Sequence, residues 1–208
     1  MGILGYFRFQ RKRNFKVKKA AKLVQNTSSE YKQVLQDCKS IFRKKTLDYG
    51  TAWRILRLSS ITDQIYIKAQ RIRSIQEKGR QEIDEGIEGE FVAIINYCIM
   101  ALMQIELVND ERMDIPYEEL EKFYDKWATA TYELLNKKNH DYGEAWRLMR
   151  VSSITDIILM KLLRVKQIED NKGKTLISEG VEANYQDMLN YSVFALILMN
   201  EEKRNEVA

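Results

Sequence analysis

The sequence predicts an all-α protein made of two tandem copies of one roughly four-helix unit, packed as a pseudo-twofold helical bundle. Three observations predict this architecture. The 208-residue chain has one proline and nine glycines, and its abundant Leu, Ile, Lys, Glu and Met residues are typical of helices. Its apolar content of 45% is enough for a hydrophobic core. The third observation is an internal repeat.

The repeat is marked by the motif K-K-x-x-D-Y-G-x-A-W-R, which occurs at residues 44–54 and again at 137–147. The match continues at the same offset of 93 residues, until one residue is inserted near Gly173. Several spaced blocks agree in the same order, which indicates duplication. We therefore divide the chain into a basic N-terminal extension (1–28), a first helical repeat (29–112) and a second helical repeat (113–208).

The first helix of each repeat is predicted at about residues 29–45 and 116–138, where Pro116 and the acidic residues after it suit a first helical turn. The following Asp-Tyr-Gly predicts a turn, because glycine adopts backbone angles that other residues avoid. A short helix is expected around Trp53 to Arg57.

The third helix is expected to begin at Ser60 and at Ser153, because Ser-Ile-Thr-Asp matches a helix-capping pattern in both repeats. The last helix is predicted at about residues 83–107 and 178–203. Long helices with short connections favour antiparallel neighbours. The two repeats are then expected to pack as the subunits of a homodimer would.

Charge is unevenly distributed along the chain. Eight basic residues and no acidic ones lie before residue 30, which leaves 26 basic against 30 acidic residues in the remainder. We therefore do not expect the helical repeats to bind nucleic acid, although the extension has the basic and aromatic residues to bind RNA or anionic lipid. The alternative is that the extension is flexible and has no ligand.

Cysteine, histidine and the apolar runs exclude several classes of protein. The two cysteines, Cys38 and Cys98, lie in helical patterns without a zinc-binding spacing, and His140 is the single histidine. The apolar runs are too short to span a bilayer, and the first residues lack the pattern of a secretory signal. We therefore expect no transmembrane span and a cytoplasmic location.

Three acids near the start of the last helix are candidate catalytic residues and metal ligands: Glu179, Glu182 and Asp187. At about 100° per residue, Glu179, Asp187 and Asn190 fall on one side of a helix, with Glu182 beside them. Magnesium prefers such carboxylate oxygens. The alternative is that the acids face water, since the helix dipole also favours acids there. The first repeat has Ala93 in place of Asp187, so it is expected to bind metal less well.

Basic, polar and aromatic residues recur in both copies around Asp-Tyr-Gly and the third helix. Arginine and lysine are the usual partners of phosphate, and an aromatic ring can stack on a base. The alternatives are ion pairs with nearby aspartates and burial of the aromatic rings in the core. The candidate nucleotide- and phosphate-binding residues are Lys45, Asp48, Arg54, Arg57, Lys68, Arg71 and Asn96, with Lys138, Asp141, Tyr142, Trp146, Arg147, Arg150, Lys161, Arg164 and Asn190 in the second copy.

The order of these motifs resembles the nucleotide modification associated domain type 1, a domain of unknown function. The shared features are K-x-x-D-Y-G, a helix with K-x-x-R, and an acidic helix ending in N-Y, and they cover nearly all of residues 29–200, twice. That family is similar to the MazG-like all-α nucleoside triphosphate pyrophosphohydrolases, which bind magnesium through Glu and Asp. The resemblance implies that Glu179 and Asp187 bind metal, that Lys161 and Arg164 contact phosphates, and that Asn190 shapes the pocket.

Two features depart from the family pattern. An acid is expected four residues after the first glutamate, where this chain has Ala183 and Gly89, and an aspartate before the helix lysine, where Met160 and Ile67 stand. The two missing carboxylates weaken the case for hydrolysis. The resemblance as a whole implies a protein that binds a nucleotide or other phosphorylated small molecule, as a magnesium-dependent pyrophosphohydrolase-like enzyme. The alternative is a catalytically inactive nucleotide-sensing or protein-interaction scaffold. A homo-oligomer is a possible assembly.

Overall fold

The fold is all-α, as the sequence predicts. The computed structural model describes residues 27–79, 86–174 and 179–207, so nearly all of the basic extension lies outside the described residues. Within these ranges the chain forms six α-helices and two short 3₁₀ helices. In order they are α1 (27–49), a 3₁₀ helix (Ala52–Ile55), α2 (Leu58–Lys78), α3 (Ile87–Glu106), α4 (Tyr117–Tyr142), a second 3₁₀ helix (Ala145–Leu148), α5 (Val151–Asp170) and α6 (Val181–Val207).

The Asp-Tyr-Gly motif ends the first helix of each repeat. Its Asp and Tyr are still helical, and the chain leaves the helix at Gly50 and Gly143, whose φ angles are 62° and 63°. The Gly50 N–H donates to the carbonyl of Thr46 at 2.9 Å, which satisfies a carbonyl of the last turn. Glycine suits this position because a Cβ atom would be strained in the left-handed region. The predicted short helix follows as a 3₁₀ helix in both repeats.

The capping prediction for the third helix is wrong. Helices α2 and α5 begin at Leu58 and Val151, two residues earlier than expected, and neither has a side-chain hydrogen bond at its N-cap. Ser60 is already inside the helix, since its N–H donates to the carbonyl of Arg57 at 2.9 Å. Asp63 is consequently not a cap, and its carboxylate accepts a hydrogen bond from a lysine of α5 instead.

Helices α2 and α5 pack antiparallel around a pseudo-twofold relation between the repeats. Four polar contacts across this pair form two couples related by an offset of 93 residues, with the two repeats exchanged. The contacts are Lys166–Asp63 at 2.5 Å with Arg73–Asp156 at 3.9 Å, and Thr62–Glu169 at 2.9 Å with Gln76–Thr155 at 3.1 Å. The expected packing of the repeats as a pseudo-twofold pair is therefore present at this interface.

The first helix of each repeat packs on the last helix of the other repeat. The Tyr31 hydroxyl of α1 donates to Asn190 Oδ1 of α6 at 2.6 Å, and the Tyr124 hydroxyl of α4 donates to Asn96 Oδ1 of α3 at 3.0 Å. Tyr31 and Tyr124 are equivalent in the repeat, as are the two asparagines. Helices α1 and α4 also contact each other, with the rings of Phe42 and Tyr124 5.1 Å apart. The repeats thus share one core rather than forming two separate ones.

Helices α3 and α6 lie at the centre of this core. Within the described ranges, α3 is the one helix long and apolar enough to cross a membrane by length and composition, and 56% of its most apolar stretch is buried inside the protein. It contacts α2, α4 and α6, and it carries the buried polar residues Glu90 and Asn96. These properties are typical of a core helix.

Candidate functional site

The first part of the shared motif faces solvent in the first repeat. Lys45, Asp48 and Tyr49 are exposed on the last turns of α1, and the side chain of Tyr49 is 72% exposed. The side chains of Lys138, Asp141 and Tyr142, their counterparts in α4, lie outside the described residues. The motif therefore supplies exposed polar groups in repeat 1, while Thr51 and Arg54 near its end are buried.

Arg54, a predicted phosphate ligand, is buried and hydrogen-bonded within the chain. It lies in the first 3₁₀ helix and is 8% exposed. Its guanidinium donates to Gln104 Oε1 and to backbone carbonyls of the segment between α3 and α4, including Leu107 at 3.4 Å and Arg112 at 3.3 Å. Thr51 binds the same segment, since its hydroxyl donates to the carbonyl of Met113 at 2.7 Å. The guanidinium holds the connection between the repeats.

Arg147, the equivalent of Arg54, has the same structural role with different partners. It is bonded to Glu30 at 2.8 Å, Glu144 at 2.7 Å, Glu201 at 2.5 Å and the Thr27 hydroxyl at 2.6 Å. Thr27 and Glu30 belong to the first turn of α1. The two motif arginines thus each fix the chain where it leads into the first helix of the other repeat.

The motif tryptophans are packed rather than available for stacking on a base. Trp146 is 6% exposed, and its ring stacks on Phe194 with centroids 4.2 Å apart. The Arg147 guanidinium lies over the Trp146 ring, 4.6 Å from its centroid. The indole N–H groups of Trp146 and Trp53 have no hydrogen-bond partner in the described ranges.

A second cluster joins α2 to α3 in the first repeat. Lys68 and Arg71, one turn apart on α2, both contact the carboxylate of Glu90 on α3. The Lys68–Glu90 distance is 3.1 Å, and Glu90 is 5% exposed while both basic side chains reach solvent in part. A buried carboxylate is stable only when it is paired, and here two cations share it. Glu90 was not among the residues predicted from the sequence.

The second repeat has the same two cations but a carboxylate at a different position. Lys161 pairs with Asp187 of α6 at 2.7 Å, and both side chains are 13% exposed. Asp187 corresponds to Ala93, and Glu90 corresponds to Asn184. The acid has therefore moved by three residues, about one helical turn, and remains on the face that meets the preceding helix. Among the described residues, each repeat thus has a carboxylate on its last helix that pairs with the lysine of the preceding helix.

Comparison with known families decides where the chain belongs. The family model described as nucleotide modification associated domain 1 matches residues 45–105 and again 138–199. The chain belongs to this family. Each matched segment starts at a motif lysine and ends in the last helix of a repeat, which confirms the tandem duplication. No curated protein and no solved structure matches the chain.

In each repeat, the segment that matches nucleotide modification associated domain 1 contains the 3₁₀ helix and most or all of the last two long helices. It includes only the end of the first helix. Both the α2–α3 cluster of Lys68, Arg71 and Glu90 and the α5–α6 cluster of Lys161, Arg164 and Asp187 lie inside it. The contacts made by most of α1 and α4 lie outside it. We therefore take these two clusters as the candidate functional sites.

The three predicted metal ligands do not come together in the structure. Glu179 and Glu182 are exposed at the start of α6, whereas Asp187 contacts the ammonium group of Lys161. Among the residues that the structure describes, no group of three or more His, Cys, Asp or Glu side chains is placed to hold a metal ion. The residues present do not fit a magnesium ion, because the one inward-facing carboxylate already has a cationic partner.

The predicted asparagines are occupied by contacts between the repeats. Asn190 accepts a hydrogen bond from the Tyr31 hydroxyl. Asn96 accepts one from the Tyr124 hydroxyl and donates one to the carbonyl of Cys38 at 3.1 Å. Both amides are at most 6% exposed, so their position in the core makes them structural. The recurrence of tyrosine at positions 31 and 124 was a sequence signal that could have indicated these partners.

The remaining predicted phosphate ligands lie in two environments. Arg57 and Arg150 are exposed at the starts of α2 and α5. Arg164 is partly buried on α5, one turn after Lys161, at the position of Arg71 in the first repeat. Lys161 and Arg164 therefore lie on the face of α5 that is equivalent to the face of α2 on which Lys68 and Arg71 lie. In the first repeat, these two residues contact one carboxylate.

Proposed function

We propose that the protein binds a nucleotide, or another phosphorylated small molecule, through the kind of lysine–arginine pair that recurs on α2 and α5. The observation that carries this proposal is the charge balance of the two clusters. In the first repeat Lys68 and Arg71 both contact Glu90, whereas in the second repeat Lys161 pairs with Asp187 and Arg164 lies one turn further along α5. Taken alone, the three described side chains of each cluster carry two positive charges and one negative charge, at a partly buried surface.

Phosphate is the ligand that best suits such a cluster. A guanidinium can donate two parallel hydrogen bonds to phosphate oxygens, and a neighbouring ammonium adds a compact charge. Partial burial strengthens the attraction, because the effective dielectric constant is lower than in water. Membership of a family described as nucleotide modification associated supports a nucleotide as the source of the phosphate.

Magnesium-dependent hydrolysis is less well supported than binding. Hydrolysis of a nucleoside triphosphate by a metal route needs several oxygen ligands to hold the ion. Here Glu179 and Glu182 are exposed and Asp187 is paired with Lys161. We therefore propose recognition without turnover as the function, and treat pyrophosphate release as the result that would favour an enzyme.

The test is a calorimetric titration of the protein with the dNTPs and NTPs, in EDTA and separately in magnesium, combined with an assay for released pyrophosphate. We expect binding in EDTA, and no pyrophosphate in either buffer. Arg164→Gln should weaken binding by about 10- to 100-fold, because a charged hydrogen bond contributes about 1.5–3 kcal/mol.

The matched control is Arg73→Gln, which removes the same charge from an exposed arginine on the α2–α5 side. Arg73 contacts Glu77 at 2.9 Å and Asp156 at 3.9 Å, and its replacement should leave the affinity unchanged. Failure of every nucleotide to bind would refute the proposal. Magnesium-dependent pyrophosphate release that is lost in Asp187→Asn would replace it with the hydrolase.

A further inference from the structure

We infer that the two repeats have diverged, so that Glu90 closes the cluster of the first repeat and only the second repeat takes a phosphorylated ligand. The chain would then bind a single ligand, next to Arg164, although it contains two copies of the family unit. This inference rests on the proposed function and adds which repeat is used and which residue decides it.

In the first repeat, Glu90 occupies the position that a ligand phosphate would need. Its carboxylate is 5% exposed and contacts both Lys68, at 3.1 Å, and Arg71. A carboxylate and a phosphate present similar oxygen pairs to a guanidinium. A phosphate could reach these two cations only by displacing a buried acid, which would leave that carboxylate without its partners. The side chain of Glu90 therefore acts as a built-in substitute for the ligand.

In the second repeat this substitute is missing. Asn184 stands at the position of Glu90 and is fully buried, with its amide nitrogen donating to the carbonyl of Gly180 at 2.8 Å. Its Oδ1 atom has no hydrogen-bond partner in the ranges that the structure describes. A neutral amide that is turned to its own backbone cannot neutralise a guanidinium as the Glu90 carboxylate does.

Arg164 is the cation that this replacement leaves available. Its equivalent, Arg71, contacts Glu90, whereas Arg164 makes no hydrogen bond or ion pair within the described part of the chain. Asp187 has moved one turn along α6 and is paired with Lys161. The second repeat thus keeps one cation neutralised and offers the other, partly buried, to an external anion. A phosphate group would provide the two acceptor oxygens that Arg164 lacks.

The deciding experiment measures stoichiometry by calorimetry and native mass spectrometry, with dATP and tripolyphosphate as probes in EDTA. Tripolyphosphate makes the result independent of the base. We expect one bound ligand in the unmodified chain, and binding at least roughly tenfold weaker in Asn184→Glu, whose new carboxylate would pair with Arg164 as Glu90 pairs with Arg71.

Glu90→Asn provides the complementary test, because it should open the first repeat and raise the stoichiometry to two. A gain of binding cannot result from misfolding, so this variant keeps the inference testable if Asn184→Glu is unstable. Two ligands bound to the unmodified chain, or an unchanged single site in both variants, would overturn the inference while leaving the proposed function intact. Absence of binding to either probe by any variant would overturn both.

Discussion

Replacement of Arg54 by alanine separates a structural role from a role in phosphate binding. The Arg54 guanidinium donates to Gln104 Oε1 and to the carbonyls of Leu107, Asp110 and Arg112, and it is 8% exposed. Truncation removes these charged hydrogen bonds and leaves buried acceptors without donors. Each such bond contributes about 1.5–3 kcal/mol, but bonds from one group are not additive. We expect a loss of about 3 kcal/mol in the free energy of unfolding, comparable to breaking a buried ion pair.

The assay is thermal and urea unfolding followed by circular dichroism, with ligand titration of the folded variant. For a chain of this size, a loss of about 3 kcal/mol corresponds to a fall in Tm of about 6–12 °C. Arg57→Ala is the control, because Arg57 is exposed on the same segment and its truncation should change stability by less than about 0.5 kcal/mol. If Arg54→Ala kept full stability but lost affinity for nucleotides, the structural interpretation would be refuted and Arg54 would be a phosphate ligand.

Two further predictions concern the contacts between repeats. Tyr31→Phe and Tyr124→Phe each remove a buried hydroxyl that donates to an asparagine of the other repeat. Each replacement should lower the free energy of unfolding, measured in urea, by about 1–2 kcal/mol. Unfolding should remain a single cooperative transition because the repeats share a core, and two separate transitions would contradict this. Burial raises the pKa of the Glu169 carboxyl above its ordinary 4.5, because the folded protein favours the uncharged, protonated form. The contribution of this carboxyl to stability is therefore greatest below pH 4.5, and it is lost as the pH rises through the raised pKa. Glu169→Gln, which copies Gln76 of the first repeat, should therefore raise Tm at pH 7 more than at pH 4.5, and an equal change at both pH values would show that the carboxyl is not desolvated.

Much of the fold could be predicted because the repeat and the helical composition are local properties of the sequence. The duplicated Asp-Tyr-Gly indicated a helix end in both repeats, and Gly50 and Gly143 have the positive φ angles that make glycine necessary there. The start of α2 was misplaced for an equally local reason. Ser-Ile-Thr-Asp matches a capping pattern, but Asp63 lies within the helix and meets Lys166 across the interface. A local capping pattern cannot show that Asp63 has a partner on another helix.

The candidate site was harder to predict, because identical motifs have different partners in the two repeats. Arg54 and Arg147 occupy the same motif position, yet one binds backbone carbonyls of the connecting segment and the other binds three glutamates. The sequence likewise indicated Lys161 and Asp187 but not that they contact each other. Glu90 was overlooked because it lies in an apolar helix, where nothing nearby in sequence indicates that two cations from α2 approach it.

The sequence alone determined that this protein is helical, that its unit is duplicated, and that basic and acidic residues recur at fixed spacing within each copy. These properties depend on backbone preferences and on periodicity, which act over a few residues. Only the tertiary structure decided which acid faces which base, and that the first helices pack on the opposite repeats. The physical reason is that burial and pairing set the behaviour of a charged group, and its partners come from helices that are distant along the chain.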